Sequence, residues 1–264
     1  MVDICLELPD AVIALFERRA ALVGVTAEDL MREIIEAAAP DHEDESDADL
    51  ASLADEPIVQ AAEIEKEYQR LGYTAGWRFI TCPQEQSGSA KLLLVSLNPA
   101  GTAPFGPGWS QELGSAYRVE SWDGIPTGTA RLQRQVQQLF ELLGLKDSEV
   151  FSAHYVPFRS PSWETLDRRR EAEAFAGSLW KWLKPKLNFD RIVCIGIEKP
   201  GKPIASLFDA HFEARIPVGW GSYSAHRYRL PDGRPLIALP HLSRYSVFGR
   251  KQSEEALRQI FELS

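Results

Sequence analysis

Lys91-Leu-Leu-Leu-Val-Ser-Leu-Asn-Pro-Ala-Gly101 is the stretch on which the fold turns. It opens as an unbroken apolar run, too short for the core of a helix, and closes on Asn98-Pro99. Such a run predicts a strand buried on both faces, as in the middle of a parallel sheet. Proline cannot donate to a ladder, so the strand should stop near Asn98. Asn98 then stands at the carboxyl end of a central strand, where open α/β sheets bind ligands. Leu236-Ile-Ala-Leu-Pro-His-Leu-Ser-Arg-Tyr-Ser-Val-Phe248 repeats the design: an apolar strand, Pro240, then a polar loop carrying His241. Two strand ends would each deliver one polar group to one rim.

The pattern between and around them alternates. A helical stripe over 57–71 leads to an edge strand over 76–80. After the first central strand, 101–128 is long and rich in glycine, proline and aromatics, and a loop of that length in a compact domain is usually functional. An amphipathic helix over 129–145 precedes a second strand over 150–158. A helix over 171–184, a third strand over 191–197 and a helix over 201–208 follow. Tyr228 to Leu230, an Asp232-Gly233 turn and Leu236 to Leu239 read as a hairpin-like entry to the fourth strand. A last helix covers 253–263. Strands alternating with helices predict a three-layer α/β/α domain over 57–264 with a central, parallel-type sheet of four strands.

The 264 residues are 44% hydrophobic, with seven Trp and twelve Phe, enough for a sizeable core. No apolar run approaches the roughly 18–20 residues of a membrane span, so no membrane partner is expected. Met-Val-Asp-Ile-Cys lacks a basic n-region, so a secretory signal is not expected and a cytoplasmic location is. Cys5, Cys82 and Cys194 are too far apart for a metal or cluster motif and read as free thiols. The net charge of −9 is uneven: residues 1–57 carry −13, leaving +4 on the remainder. An anionic partner would therefore meet the body of the chain and not its head.

Asp3 to Leu8 alternates like a short half-buried strand, with Ile4, Leu6 and Leu8 on one face. Two helices joined by a Gly24-Val-Thr26 turn follow, and Thr26 with Asp29 caps the second. Over residues 1–39 this order resembles the ribbon-helix-helix family of DNA-binding dimers, which implies a homodimer through this segment. The outward side chains of the ribbon would be Asp3, Cys5 and Glu7, and carboxylates are repelled by a phosphate-lined groove. Residues 40–56 are acidic, poor in bulky apolar residues, and read as a solvated linker.

Gly196-Ile-Glu-Lys-Pro-Gly-Lys202 follows a strand and fits the first seven positions of a P-loop. Its eighth position is Pro203, which has no hydroxyl for magnesium, so it is expected to be a basic strand-to-helix turn. Ser96-Leu-Asn-Pro-Ala100 and His241-Leu-Ser-Arg-Tyr-Ser-Val-Phe248 together resemble the uracil-DNA glycosylase superfamily, over about residues 75–264. Its first motif reads Gly-Ile/Leu/Met-Asn-Pro-Gly in two branches, and its second reads His-Pro-Ser-Pro-Leu-Ser-Val-Tyr in the principal one. The resemblance implies hydrolysis of the N-glycosidic bond of a deaminated or damaged base in DNA, as in base-excision repair. Asn98 would hold the attacking water, and His241 would donate to the base oxygen where charge develops. Phe105 or Trp109 would stack on the extruded base, and Ala100 would leave room beside it. His154, in Ala-His-Tyr-Val-Pro-Phe-Arg159, stands where the superfamily has a base-reading Asn. Ser243 and Ser246 would bind phosphates, and Arg244 or Tyr245 would fill the gap left by the flipped nucleotide.

Neither cofactor nor metal is expected, because such a base leaves under electrostatic stabilisation. Ser96 and Ala100 replace glycines of the first motif, and Leu242 and Arg244 replace prolines of the second. Two other classes stay open on the sequence: a non-catalytic nucleotide or nucleic-acid binder, and a transcription regulator acting through the ribbon.

Overall fold

The computed structural model describes Thr26, Glu28 and residues 60–101, 114–122 and 124–263. The ribbon-helix-helix-like segment and the acidic linker therefore lie outside the described residues, as do Phe105 and Trp109. The chain divides into two units, Met1–Glu56 and Pro57–Ser264. The second is the one described below.

Its strands are β1 (Leu92–Ser96), β2 (Val150–His154), β3 (Arg191–Ile195), β4 (His211–Pro217), β5 (Ser224–Arg229) and β6 (Pro235–Leu239). They form one mixed sheet of six, in the order β2-β1-β3-β6-β5-β4. The first four are parallel neighbours, and β5 and β4 continue the sheet antiparallel. This corrects the expected four-stranded sheet. The approach to β6 is a full hairpin strand, and β4 has no apolar run to betray it. Five of its seven residues are exposed, and only Ile216 is buried. An exposed strand carries little hydrophobic pattern, so periodicity misses it.

Every residue of β1 is buried, because the strand is covered on both faces. Leu93 and Val95 point into one core, where α1 (Ala61–Leu71) and α4 (Arg169–Leu183) contribute Ile64, Ala176 and Trp180. Leu92 and Leu94 point into the other, which α3 (Arg131–Leu142) and α6 (Glu254–Phe261) close with Val136, Phe140 and Ile260. The class is α/β, with helices on both faces of the sheet. Trp180 is fully buried, yet its indole N–H donates to the Tyr155 carbonyl at 2.9 Å, so its burial leaves no orphan donor.

Both sheet edges are managed. Along β2, the segment 77–81 runs antiparallel and supplies Thr81 N to Ser152 O and Phe79 O to His154 N. The second strand accordingly ends at His154 and not at Phe158, since beyond it the chain leaves β2's line to follow the end of β1, with Tyr155 N on Ser96 O. The β4 edge carries Glu213, Arg215, Pro217 and a register irregularity after Phe212, all of which discourage pairing with another strand.

Candidate active site

Parallel strands end together, so β2, β1, β3 and β6 deliver their carboxyl ends to one rim. The antiparallel pair adds the loop 218–223 there, since Pro217 faces Ser224 and β5 runs opposite to β6. From β1 the chain builds outward to β2 on one side and to β3 on the other, and the crevice of such a sheet opens at that switch point. His154 is the last residue of β2, Asn98 lies two residues past β1, and His241 two past β6. With strands about 4.8 Å apart, the ends of β1 and β6 are separated by about 10 Å, with the end of β3 and Gly196 after it between them.

Asn98 is half-buried, and its orientation is forced. Its amide nitrogen donates to the Pro99 and Phe158 carbonyls, each at 3.2 Å, and to Ser160 Oγ at 2.9 Å. Two of these partners are carbonyls that can only accept, so the nitrogen cannot be exchanged with the oxygen. The NH₂ group is consumed, and the carbonyl oxygen is the atom left to accept from a water. Ser160 is itself held by its hydroxyl on the Ser162 carbonyl. The loop after β2 thus aims a side chain that belongs to β1.

His241 is also half-buried, and it begins a tight turn in which Arg244 N and Tyr245 N both donate to its carbonyl. The Ser243 N–H donates to its Nδ1 at 3.4 Å, and Ser243 Oγ lies 2.8 Å from the same atom. A backbone N–H can only donate, so Nδ1 accepts and a neutral ring carries its proton on Nε2. Burial first, and the Arg244 guanidinium second, hold its pKa below the ordinary histidine value. The imidazole therefore offers an N–H as a neutral donor. Its turn is clamped from α3 by Gln135, which sequence reasoning missed. Gln135 Oε1 accepts from Val247 N at 2.7 Å and Phe248 N at 2.9 Å, while Nε2 donates to the Phe248 carbonyl. A glutamine among apolar helix positions was the available signal.

His154 meets Ser96, its register neighbour on β1, with Oγ and Nδ1 2.7 Å apart. Burial, and less so the Arg78 guanidinium, push its pKa down to about 3. Burial pushes the pKa of the fully buried Tyr117 up to about 12. Arg78 is held by Glu120 through two bonds of 2.8 and 2.5 Å.

Both histidines have folded-state pKa values below the unfolded value near 6.5. Their stabilising contribution is complete above that value and is lost as pH falls, because the unfolded chain binds protons that the native rings refuse. For His154 the loss runs from about pH 6.5 down toward pH 3. The urea midpoint should fall between neutral pH and about pH 5, and His154→Asn should shrink that fall. An unchanged fall in the variant would assign the slope to other groups, His241 among them.

The remaining expected site residues that are described, Ala100 and Ser243 to Ser246, follow β1 and β6 at this rim. Arg244 and Ser243 are exposed, and Ser246 Oγ accepts from Arg131 Nε at 3.0 Å. Tyr245 packs on Tyr223, with ring centroids 4.1 Å apart, and both belong to a cluster with Trp220, over which Arg250 lies at 4.5 Å. Ala100 is exposed, and its carbonyl accepts from Arg159 Nε at 2.9 Å. Lys91 stands at the opposite end of β1, paired with Glu149 at 2.6 Å. In the turn after β3, Lys199 pairs with Glu173, and Lys202 with Glu198 at 2.6 Å. A Cβ on Gly201 would lie 2.6 Å from that of Ala238, so the turn packs on β6 rather than opening as a cradle. Among the described residues no three His, Cys, Asp or Glu side chains converge to hold a metal ion. Cys82 and Cys194 are buried free thiols.

No family model and no curated protein matches this chain. The functional reading therefore rests on the rim itself.

Proposed function

We propose that residues 57–264 form a uracil-DNA-glycosylase-like hydrolase that releases a deaminated or damaged base from DNA. The observation that carries this reading is the pairing, on one rim, of Asn98 with its NH₂ tied down and His241 with its proton on Nε2. Glycosidic cleavage puts negative charge on the departing base and positive character on the sugar. The Asn98 carbonyl would hold the water that attacks the sugar, and the His241 N–H would stabilise the base oxygen. Neither group has to gain or lose a proton before the step. His154 and Ala100 would border the base, with Phe105 or Trp109 stacking on it. Ser243 and Ser246 would take phosphates, the latter with Arg131 beside it. Of the two residues proposed for the vacated gap, Arg244 is the exposed one, whereas Tyr245 is engaged with Tyr223.

The deciding assay incubates the protein with oligonucleotides carrying uracil, hypoxanthine, xanthine or a mismatched thymine, then cleaves abasic sites with alkali. Strand cleavage with one of them is the expected result. Its absence with all four would remove the enzyme reading.

In the same proposal, the segment 1–39 dimerises the protein as a ribbon-helix-helix-like unit, and the body meets DNA. Deleting residues 1–45 should convert a dimer to a folded monomer by light scattering. An unchanged mass would remove the dimer.

A further inference from the structure

Beside the His241 turn the rim carries three aromatic rings in mutual contact. Trp220 and Tyr223 come from the loop between β4 and β5, and Tyr245 comes from the turn itself. Ring centroids lie 5.2 Å apart for Trp220 and Tyr223, 4.1 Å for Tyr223 and Tyr245, and 6.4 Å for Trp220 and Tyr245. Each ring is half-buried, resting in part on the core that α3 and α6 close and leaving part to solvent. The loop that presents two of them is fixed. Val218 N donates to the Tyr223 carbonyl at 3.0 Å and closes it. Gly219 has a φ of +86°, and a Cβ there would stand 2.3 Å from the Gln252 carbonyl oxygen, so only glycine lets the loop seat on the segment before α6.

Arg250 joins these rings to a group of cations. Its guanidinium carbon lies 4.5 Å over the Trp220 ring, and its Nε donates to the Ser246 carbonyl at 2.5 Å. Its two terminal nitrogens have no partner among the described residues. Arg244 and Lys251 are exposed on the same segment, and Arg131 reaches it from α3 through Ser246. None of these four cations makes an ion pair among the described residues, and residues 218–224 and 240–253 contain no Asp or Glu. By contrast, Arg78, Arg118, Arg227 and Arg229 are each paired with a carboxylate. Unpaired cations gathered at one place attract a polyanion. A duplex offers phosphates but keeps its bases stacked on one another, whereas an unpaired strand offers phosphates and free base faces together.

We propose that Trp220, Tyr223, Tyr245 and Arg250 form a platform for single-stranded DNA, on which bases stack while Arg131, Arg244, Arg250 and Lys251 meet the phosphates. Every base has a face that stacks on an aromatic ring, so the platform holds a strand without reading its sequence. The proposal rests on the glycosylase reading for DNA as the polymer, and it adds the strand state: the chain takes hold of an unpaired strand. An unpaired strand leaves no gap in a duplex to be filled. Tyr245 is accordingly held against Tyr223 instead of standing free as a wedge.

Fluorescence anisotropy of a labelled oligothymidylate of about twelve nucleotides, titrated with the full chain, tests this. The strand should bind about tenfold or more tightly than its duplex with oligoadenylate, and than a strand of equal charge built from abasic spacers. Tyr223→Leu keeps apolar bulk on the core and removes the ring, and it should weaken binding by about tenfold. Arg250→Gln should lower the slope of log affinity against log salt by about 0.7, the share of one phosphate contact on a single strand. It also serves if the tyrosine variant does not fold. Equal affinity for the abasic strand or the duplex would mean that phosphates alone are held, and would overturn the platform. So would unchanged affinity and salt slope in both variants, or no binding at low salt. Tighter binding of oligouridylate than of oligothymidylate would overturn the assignment to DNA. The readout is binding and needs no turnover, so failure of base release and failure of this platform are separate results.

Discussion

Single-turnover base release by Asn98→Ala and by His241→Ala should each fall by about 10²–10³-fold, the usual loss when one well-aimed group facing developing charge is removed. The affinity of each variant for the lesion oligonucleotide should change far less. The reason is that both groups act where charge and bonding change, and little on the ground state. For Asn98 the expectation has a structural basis beyond its position. Three acceptors hold its nitrogen, so its oxygen is aimed before any ligand arrives. Asn98→Asp is the informative companion, because a carboxylate would face the Pro99 and Phe158 carbonyls with no proton to donate and should misplace the group. For His241, a neutral donor needs no protonation step, so its contribution should persist well above neutral pH. Wild-type rates in both alanine variants on the best substrate would refute the catalytic assignment, and the binder reading would replace it.

Gln135→Leu should cost about 2–5 kcal/mol of stability, read from the urea midpoint, although leucine fills nearly the same space. The cost comes from polarity and not from volume. Gln135 is 5% exposed, and it serves two backbone N–H groups and one carbonyl of the turn that carries His241. Leucine would leave the Val247 and Phe248 N–H groups buried without a partner, and each such group costs about 1–3 kcal/mol. The same clamp sets where the His241 turn sits relative to β1. The variant should therefore also lose single-turnover rate at temperatures where it remains folded. A midpoint shift equivalent to less than about 1 kcal/mol would mean that the turn finds other partners, and Gln135 would lose its role as anchor.

Much of the scaffold was legible in the residues because hydrophobic burial leaves a period. The continuous apolar runs of β1, β3 and β6 could belong only to strands covered on both faces, and a proline soon after β1 and β6 placed Asn98 and His241 at strand ends. Parallel strands share one polarity, so the common rim followed from the sequence alone. Strand β4 was not legible, since an exposed edge buries one residue in seven and its pairing with β5 is made by backbone groups that every residue has. The orientation of each site group was also beyond the sequence. Asn98 is aimed by carbonyls of Pro99 and Phe158, His241 by Gln135 from a helix more than a hundred residues earlier, and His154 meets the Ser96 hydroxyl of a strand more than fifty residues earlier. Hydrogen bonds between distant segments have no period along the chain. Their partners become neighbours only when the sheet and its two layers have packed, which is why tertiary structure alone decided which atom each of these side chains offers to a ligand.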